Sequence, residues 1–299
     1  MGFIIEEALQ VFKNGDYLWK FQNCKDLFAI IECDNCGHRK AIFTGCGLRI
    51  CPECAKRRGK RLFKRYLRIF STLLEKLKCR LGFLTLTIRN CNDLKEGLQK
   101  LKEAWKRFKR RSYFRNRVYG GIFVIEVKIG RDGKYNLHAH VLILHDWFGL
   151  PKEQEVKHLT IPERVVSTKG IKSWRDLLKP QKGIGQLVLS LLWENVSGDF
   201  VVDIRSVRSP KKALRYLVKY ILKPPEFPEP DHYVEFLEAF WKQPMLIPFG
   251  CVLDFDDGDE FKPICPLCGF SEFRFICVCL GWEIEEWFKP PPVECVDRG

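Results

Sequence analysis

Two histidines, His138 and His140, stand two residues apart inside the apolar run Leu137–Leu144 (LHAHVLIL). In a strand, side chains alternate between faces, so both imidazoles point one way while Ala139 and Val141 point the other. Same-face imidazoles in a buried strand are costly unless partnered, and a divalent cation is the natural partner. Two hydrogen-bonded structural histidines are the bland alternative. A third ligand, Glu126, is available if the preceding segment Gly121–Ile129 forms a strand antiparallel to the histidine strand. A three-residue loop at Arg131-Asp132-Gly133 sets Glu126 opposite His138 and Val124 opposite His140. A two-residue loop would send Glu126 to the other face. The competing role for Glu126 is a salt bridge with Lys128. Two imidazoles and one carboxylate leave coordination positions open and suit Mn²⁺ or Mg²⁺.

Further along, Tyr216-Leu217-Val218-Lys219-Tyr220 places two phenols four residues apart, stacked on one face of a predicted helix. A phenol titrates near pH ~10 and is a weak nucleophile at neutrality. Lys219, one turn from Tyr216, and Lys223, three residues after Tyr220, favour the phenolate. Leu214, Leu217, Val218, Ile221 and Leu222 give the same helix a packing face, so core packing is the competing role of the tyrosines.

The chain holds 14 cysteines, six of them in Cys-x-x-Cys pairs. Outside a small secreted domain, that pattern reads as metal thiolate rather than disulfide. Cys33, Cys36, Cys51 and Cys54 form two pairs at the spacing of a structural Zn²⁺ site, with His38 and Cys46 between them as alternative ligands. Four thiolates leave no open position, so this zinc staples a small subdomain and serves to aim Arg57, Arg58 and Arg61 toward nucleic acid. Cys265, Cys268, Cys277 and Cys279 form a looser second set, with buried free thiols as the alternative.

From Lys56 to Arg117 there are 22 Lys/Arg against 4 Asp/Glu, a surplus of +18 in a chain of net charge +14; the remainder is net −4. A positive field focused on one segment and interleaved with aromatic residues points to nucleic acid. The cations expected to contact it are Arg57, Arg58, Arg61, Lys64 and Arg65 on one helix, and Lys106, Arg107, Lys109, Arg110 and Arg111 on another. No run of about 18 apolar residues and no leader-like N-terminus is present, so no membrane partner and a cytoplasmic location are expected.

These groups need a frame. Apolar residues from Leu62 to Leu77 and from Leu94 to Phe108 recur at helical spacing. Leu81–Ile88, Gly121–Ile129, Leu137–Leu144 and Phe200–Val207 read as strands. Ile184–Val196 reads as a helix, and a last helix opens at Pro210 and stops at Pro224. The order α-β-α-β-β-α-β-α predicts an α+β fold, an antiparallel sheet with flanking helices, with small zinc modules appended. The expected division is a zinc-knuckle module over 1–55, a catalytic domain over 56–223, and a proline-rich linker with a possible zinc ribbon over 224–299.

The order Phe83-Leu84-Thr85-Leu86-Thr87, then Leu137-His138-Ala139-His140-Val141, then Tyr216-Leu217-Val218-Lys219-Tyr220 resembles the three motifs of the HUH endonucleases. It is most similar to the rolling-circle replication initiators (Rep proteins) of small plasmids and isometric phages. The resemblance covers about residues 33 to 223 and implies an HUH, ferredoxin-like palm. It implies metal-dependent nicking and joining of single-stranded or hairpin origin DNA through a 5′-phosphotyrosine link. Tyr216 with Lys219 matches the family's Tyr-x-x-Lys pattern, and Tyr220 repeats it. An HUH-type transposase is the alternative enzyme; a non-catalytic zinc-dependent nucleic-acid-binding protein is the alternative of another class. No Gly-x-x-x-x-Gly-Lys-[Ser/Thr] occurs, so an initiator of this kind would rely on a host helicase and DNA polymerase. Residues 146–182 match none of the motifs and are a candidate origin-reading insertion.

Overall fold

The computed structural model describes residues 2–222, 225–255 and 264–288. Along the chain come α1 (Gly2–Val11), α2 (Leu18–Gln22), β1 (Leu27–Cys33), β2 (Arg39–Phe43), α3 (Pro52–Leu77), β3 (Arg80–Thr87) and α4 (Leu94–Arg110). Then follow β4 (Val118–Ile129), β5 (Tyr135–His145), α5 (Ile184–Ser197), β6 (Val202–Val207), α6 (Pro210–Leu222), α7 (Pro230–Ala239), β7 (Leu246–Gly250) and β8 (Phe273–Leu280). The class is α+β, with two antiparallel sheets. The chain divides into two compact units, residues 55–256 and residues 2–54 with 257–299. No helix among the described residues is long and apolar enough to cross a membrane.

The larger unit is built on the sheet β6-β3-β5-β4-β7. The β4–β5 hairpin closes around Arg131, Asp132 and Gly133, where the Gly130 N–H donates to the Lys134 carbonyl at 2.7 Å and Gly133 takes φ +72°. Glycine is the residue that adopts that left-handed geometry without strain. The resulting register sets Glu126 opposite His138 and Val124 opposite His140, as the three-residue loop predicts. Across β3 and β6, Thr87 faces His138, and Thr85 faces both His140 and Asp203.

Facing partners share a side of the sheet. One side is half core and half open. Its core part joins Leu81, Phe83, Ile122, Leu142 and Leu144 to Tyr66, Ile69, Phe70 and Leu73 of α3 and to Ala213, Leu214 and Leu217 of α6. Beyond that core, towards the Glu126 end, the polar side chains begin. The other side is covered by α4 and α5, where Trp105 stacks on Phe123 at 4.9 Å and Phe108 meets Trp193 edge-on at 5.6 Å. Helix α4 starts cleanly because Asp93 accepts the Glu96 N–H at 2.7 Å, and it ends in Arg107, Lys109 and Arg110, which suit its negative pole.

The proline-rich stretch does not detach a C-terminal module at 224, as the sequence suggests. Phe227 is buried against Tyr233 at 5.0 Å, and Glu235 of α7 accepts both the Leu94 N–H (2.8 Å) and the Tyr135 hydroxyl (2.6 Å). Strand β7 then pairs with β4, so residues 225–255 complete the larger unit.

In the smaller unit, β1 lies between β2 and β8, so the two ends of the chain share one sheet. Glu32 on β1 is clamped by Arg39 (2.8 Å) and Arg274, which hold its carboxyl below the usual range.

Candidate active site and metal centres

His138, His140, Glu126 and Tyr216 line one cavity of about 540 Å³, together with Thr85, Lys128, Asp203 and Arg205. The strands supply all of these except Tyr216, which comes from α6. The imidazoles of His138 and His140 lie face to face at 6.3 Å between centroids, on the same side of β5. Phe83 stands between histidine and phenol, 5.8 Å from the His140 ring and 5.2 Å, edge-on, from Tyr216. Tyr216 is 51% exposed.

Each polar group is held by a neighbour. Thr87 Oγ1 lies 3.0 Å from His138 Nδ1, and the Thr87 carbonyl accepts the indole N–H of buried Trp193 at 2.9 Å. A tryptophan from the opposite side of the sheet thereby fixes the residue that orients His138. His140 Nε2 is 3.0 Å from Glu126 Oε2, and Lys128 Nζ is 2.9 Å from Glu126 Oε1. Glu126 therefore makes the salt bridge with Lys128 and faces the histidines as well. Burial opposes its ionisation, but the hydrogen bonds from His140 and Lys128 outweigh that and keep its carboxyl below the usual range. Burial lowers the His138 pKa, so this imidazole is neutral at physiological pH, the form that binds metals. Two imidazoles and a carboxylate in one cavity are a donor set that fits a divalent cation. Their ligand atoms are not drawn together to coordination distance: among the described residues, only two cysteine quartets bring three or more ligand atoms within 4.8 Å of one another.

Asp203 and Arg205, joined at 2.7 Å, are site residues that the motifs did not reveal. Their signal was the alternation of Val202-Asp203-Ile204-Arg205 within a strand, which puts both polar side chains on one face. Lys219 and Tyr220 fall within α6, but their side chains lie outside the described residues, as does Lys223.

The cysteine quartets differ from the expected sets. Cys51 and Cys54 join Cys24 and Cys46, all four buried; Cys33 and Cys36 join Cys265 and Cys268. The two N-terminal pairs thus serve separate centres. In the first, Gly45 at φ +61° lets the chain pass the sulfurs: a Cβ there would lie 2.8 Å from Cys54 Sγ. The Cys46 and Gly47 N–H groups donate to Cys24 and Cys54 sulfurs, each at 3.3 Å. Contacts with Cys46 and Cys51 push the Cys54 thiol down to about 2, while the Cys46 thiol is pushed up. Four crowded thiols of this kind become thiolates together only around a cation such as zinc. In the second quartet each Cys-x-x-Cys ends on a left-handed glycine, Gly37 and Gly269, whose N–H donates back to Cys33 and Cys265 carbonyls at 2.9 Å. A hydrogen bond from Asn35 pulls the Cys268 thiol down to about 6. Cys277 and Cys279 do not converge on Cys265 and Cys268, because the β8–β1 ladder fixes them opposite Ile30 and Phe28. His38 contributes its carbonyl to the Cys33 N–H, and its imidazole is in neither quartet.

Of the basic residues, Arg57, Arg61, Lys64 and Arg65 are exposed on α3, and Arg58 is half-buried. On α4, Lys106 and Arg110 are exposed, whereas three cations of α4 and its C-cap are tied into the fold. Arg107 donates to the Val196 carbonyl at 2.7 Å, Arg111 to Asn195 Oδ1 at 2.5 Å, and Lys109 lies over Trp105 and Phe249.

An antiparallel sheet with the His-x-His strand at its centre, and the Tyr-x-x-Lys helix that follows it, thus bring a metal donor set and a phenol to one cavity. Independently, residues 39–157 match the family model described as "Replication protein" (Rep_1). Over 103 residues the chain is 31% identical to "Protein rep" of Lactiplantibacillus plantarum, a match covering 33% of this chain. The chain spans about a third (32%) of that relative's length. No solved structure matches. The segment that carries the histidines is thus similar to proteins described as replication proteins.

Proposed function

We propose that the protein is a replication initiator that nicks one DNA strand at an origin and later rejoins it, with Tyr216 as nucleophile. One observation carries the reading: Tyr216 opens into the same cavity as His138, His140 and Glu126, separated from His140 only by Phe83. A divalent cation held by His138, His140 and Glu126 would supply Lewis-acid polarisation of the scissile phosphate. Lys128 and Arg205, paired with Glu126 and Asp203, are the cations that line the wall a phosphodiester would occupy. The Tyr216 oxygen attacks phosphorus, the bond from phosphorus to the 3′-oxygen breaks, and the departing oxygen takes a proton to become a free 3′-hydroxyl. The 5′-phosphotyrosine ester retains the energy of the broken linkage, so a 3′-hydroxyl can attack it, reform the strand and release the phenol. Tyr220 serves as a second nucleophile for strand transfer. Single-stranded or hairpin DNA is the substrate because base pairing buries the scissile strand; a host helicase unwinds the duplex and a host DNA polymerase extends the freed end.

The test is incubation of the chain with Mn²⁺ and labelled single strands tiling the replicon that encodes it, followed by mass spectrometry of any covalent adduct. An adduct on Tyr216 that Tyr216→Phe removes is the expected result. Binding without any adduct, or an adduct on a residue other than these two tyrosines, overturns the reading.

A further inference from the structure

A second cavity, of about 620 Å³, lies on the side of the sheet opposite the histidine pair. Its floor is His145, an odd-numbered β5 residue that alternation turns away from His138 and His140. His145 is 5% exposed, and its Nδ1–H donates to the Asp146 carbonyl, which leaves Nε2 as an acceptor. That buried Nε2 has no hydrogen-bond partner. The lack of a side chain at Gly82 lets the imidazole lie against β3: a Cβ there would stand 2.6 Å from Nε2.

The rim carries complementary chemistry. Trp147 presents a 66% exposed indole, with the Arg80 guanidinium 5.1 Å from its ring, and Phe148 stacks on His145 at 4.9 Å. Helix α5, 14 residues long, begins at the opposite wall after left-handed Gly183. Gly185 lets that first turn press close, since a Cβ there would lie 2.2 Å from the Phe148 carbonyl. Of the first-turn N–H groups, that of Ile184 donates to the Gln181 carbonyl, while those of Gly185 and Gln186 have no intrahelical acceptor and favour an anion. Arg80 and Lys182 are the charged residues of the lining, which holds no carboxylate.

We propose that this cavity takes one nucleotide, with its phosphate at the start of α5 between Arg80 and Lys182 and its base on Trp147, beside the His145–Phe148 stack. An aromatic platform beside cations is how proteins grip single strands without demanding a duplex. The walls come from residues 147–150 and 180–182, either end of the stretch that matches no motif, and from the start of α5, and this gives that stretch a task. The inference shares with the nicking reading only the expectation that DNA is the source of the nucleotide.

The experiment uses the zinc-loaded full chain carrying Tyr216→Phe, so that turnover cannot intrude. A fluorescein-labelled 20-nucleotide single strand is titrated by anisotropy, and the four deoxynucleoside 5′-monophosphates by calorimetry. Trp147→Ala and Lys182→Glu should each weaken binding about fivefold or more, the lower end of what a stacked base contributes. An effect confined to the strand identifies DNA as the source; an effect on the monophosphates as well identifies a free-nucleotide site. Trp147 is exposed, so its variant should keep the wild-type circular dichroism and melting point; if it does not, Lys182→Glu decides. Binding within twofold of the parent in both arms overturns the proposal. Absence of nicking by the parent chain would instead sink the nickase reading and leave this result standing.

Discussion

Glu126→Gln separates the two roles this carboxylate can hold. The side chain is 14% exposed and bonds His140 at 3.0 Å and Lys128 at 2.9 Å. Glutamine keeps the shape and one acceptor oxygen but removes the charge. A charge-assisted hydrogen bond is worth about 1.5–3 kcal/mol and a neutral one about 0.5–1.5. Lys128 is more than half exposed, so its share of the ion pair is at most about 1 kcal/mol. The fold should therefore lose about 1 kcal/mol, a melting shift of about 2–4 °C for a unit of this size. Cation binding should suffer more, because the donor set loses its carboxylate; even outer-shell losses cost about 10–100-fold in metal affinity. The Mn²⁺ concentration for half-maximal nicking should rise by at least 10-fold, with recovery at saturating metal and unchanged single-strand binding at fixed salt. A melting shift with an unaltered Mn²⁺ curve would refute the ligand role and leave Glu126 a salt-bridge residue.

Zinc analysis of the purified chain should find two ions; Cys24→Ser should reduce the count to one, whereas Cys277→Ser should leave it at two, which separates the observed quartets from the expected ones. Leu142→Ala removes a fully buried side chain between α3 and α6 and should cost about 2–5 kcal/mol in urea unfolding. Burial holds His145 below the ordinary imidazole value. The unfolded chain takes up a proton near pH ~6.5 and the folded one does not, so this stability is complete above 6.5 and lost as pH falls toward the folded value. The denaturation midpoint should drop between pH 7.5 and 5.5, and His145→Gln should flatten that slope.

The core of the larger unit was legible because its signals are local. The turn at Gly133 fixed the β4–β5 register, and alternation then placed Glu126, His138 and His140 on one side. Pro210 marked the start of the tyrosine helix. What escaped depends on residues distant in sequence. Nothing in Cys33-x-x-Cys36 announces that its partners lie 229 and 235 residues away, and Cys24 stands alone. Strand β7 carries Pro248, which argues against a central strand and is compatible with the sheet edge it occupies. Asp203 and Arg205 were passed over because their role depends on pairing with β3, not on their own neighbours.

The smaller unit draws β1 from one end of the chain and β8 from the other, and one of its thiolate quartets takes two sulfurs from each. On the ribosome, Cys33 and Cys36 must wait until residues 265–280 emerge before either the third strand or the second pair of sulfurs exists. Completion of that centre therefore reports that translation has passed this point, and a prematurely terminated polypeptide would be left with half a ligand set.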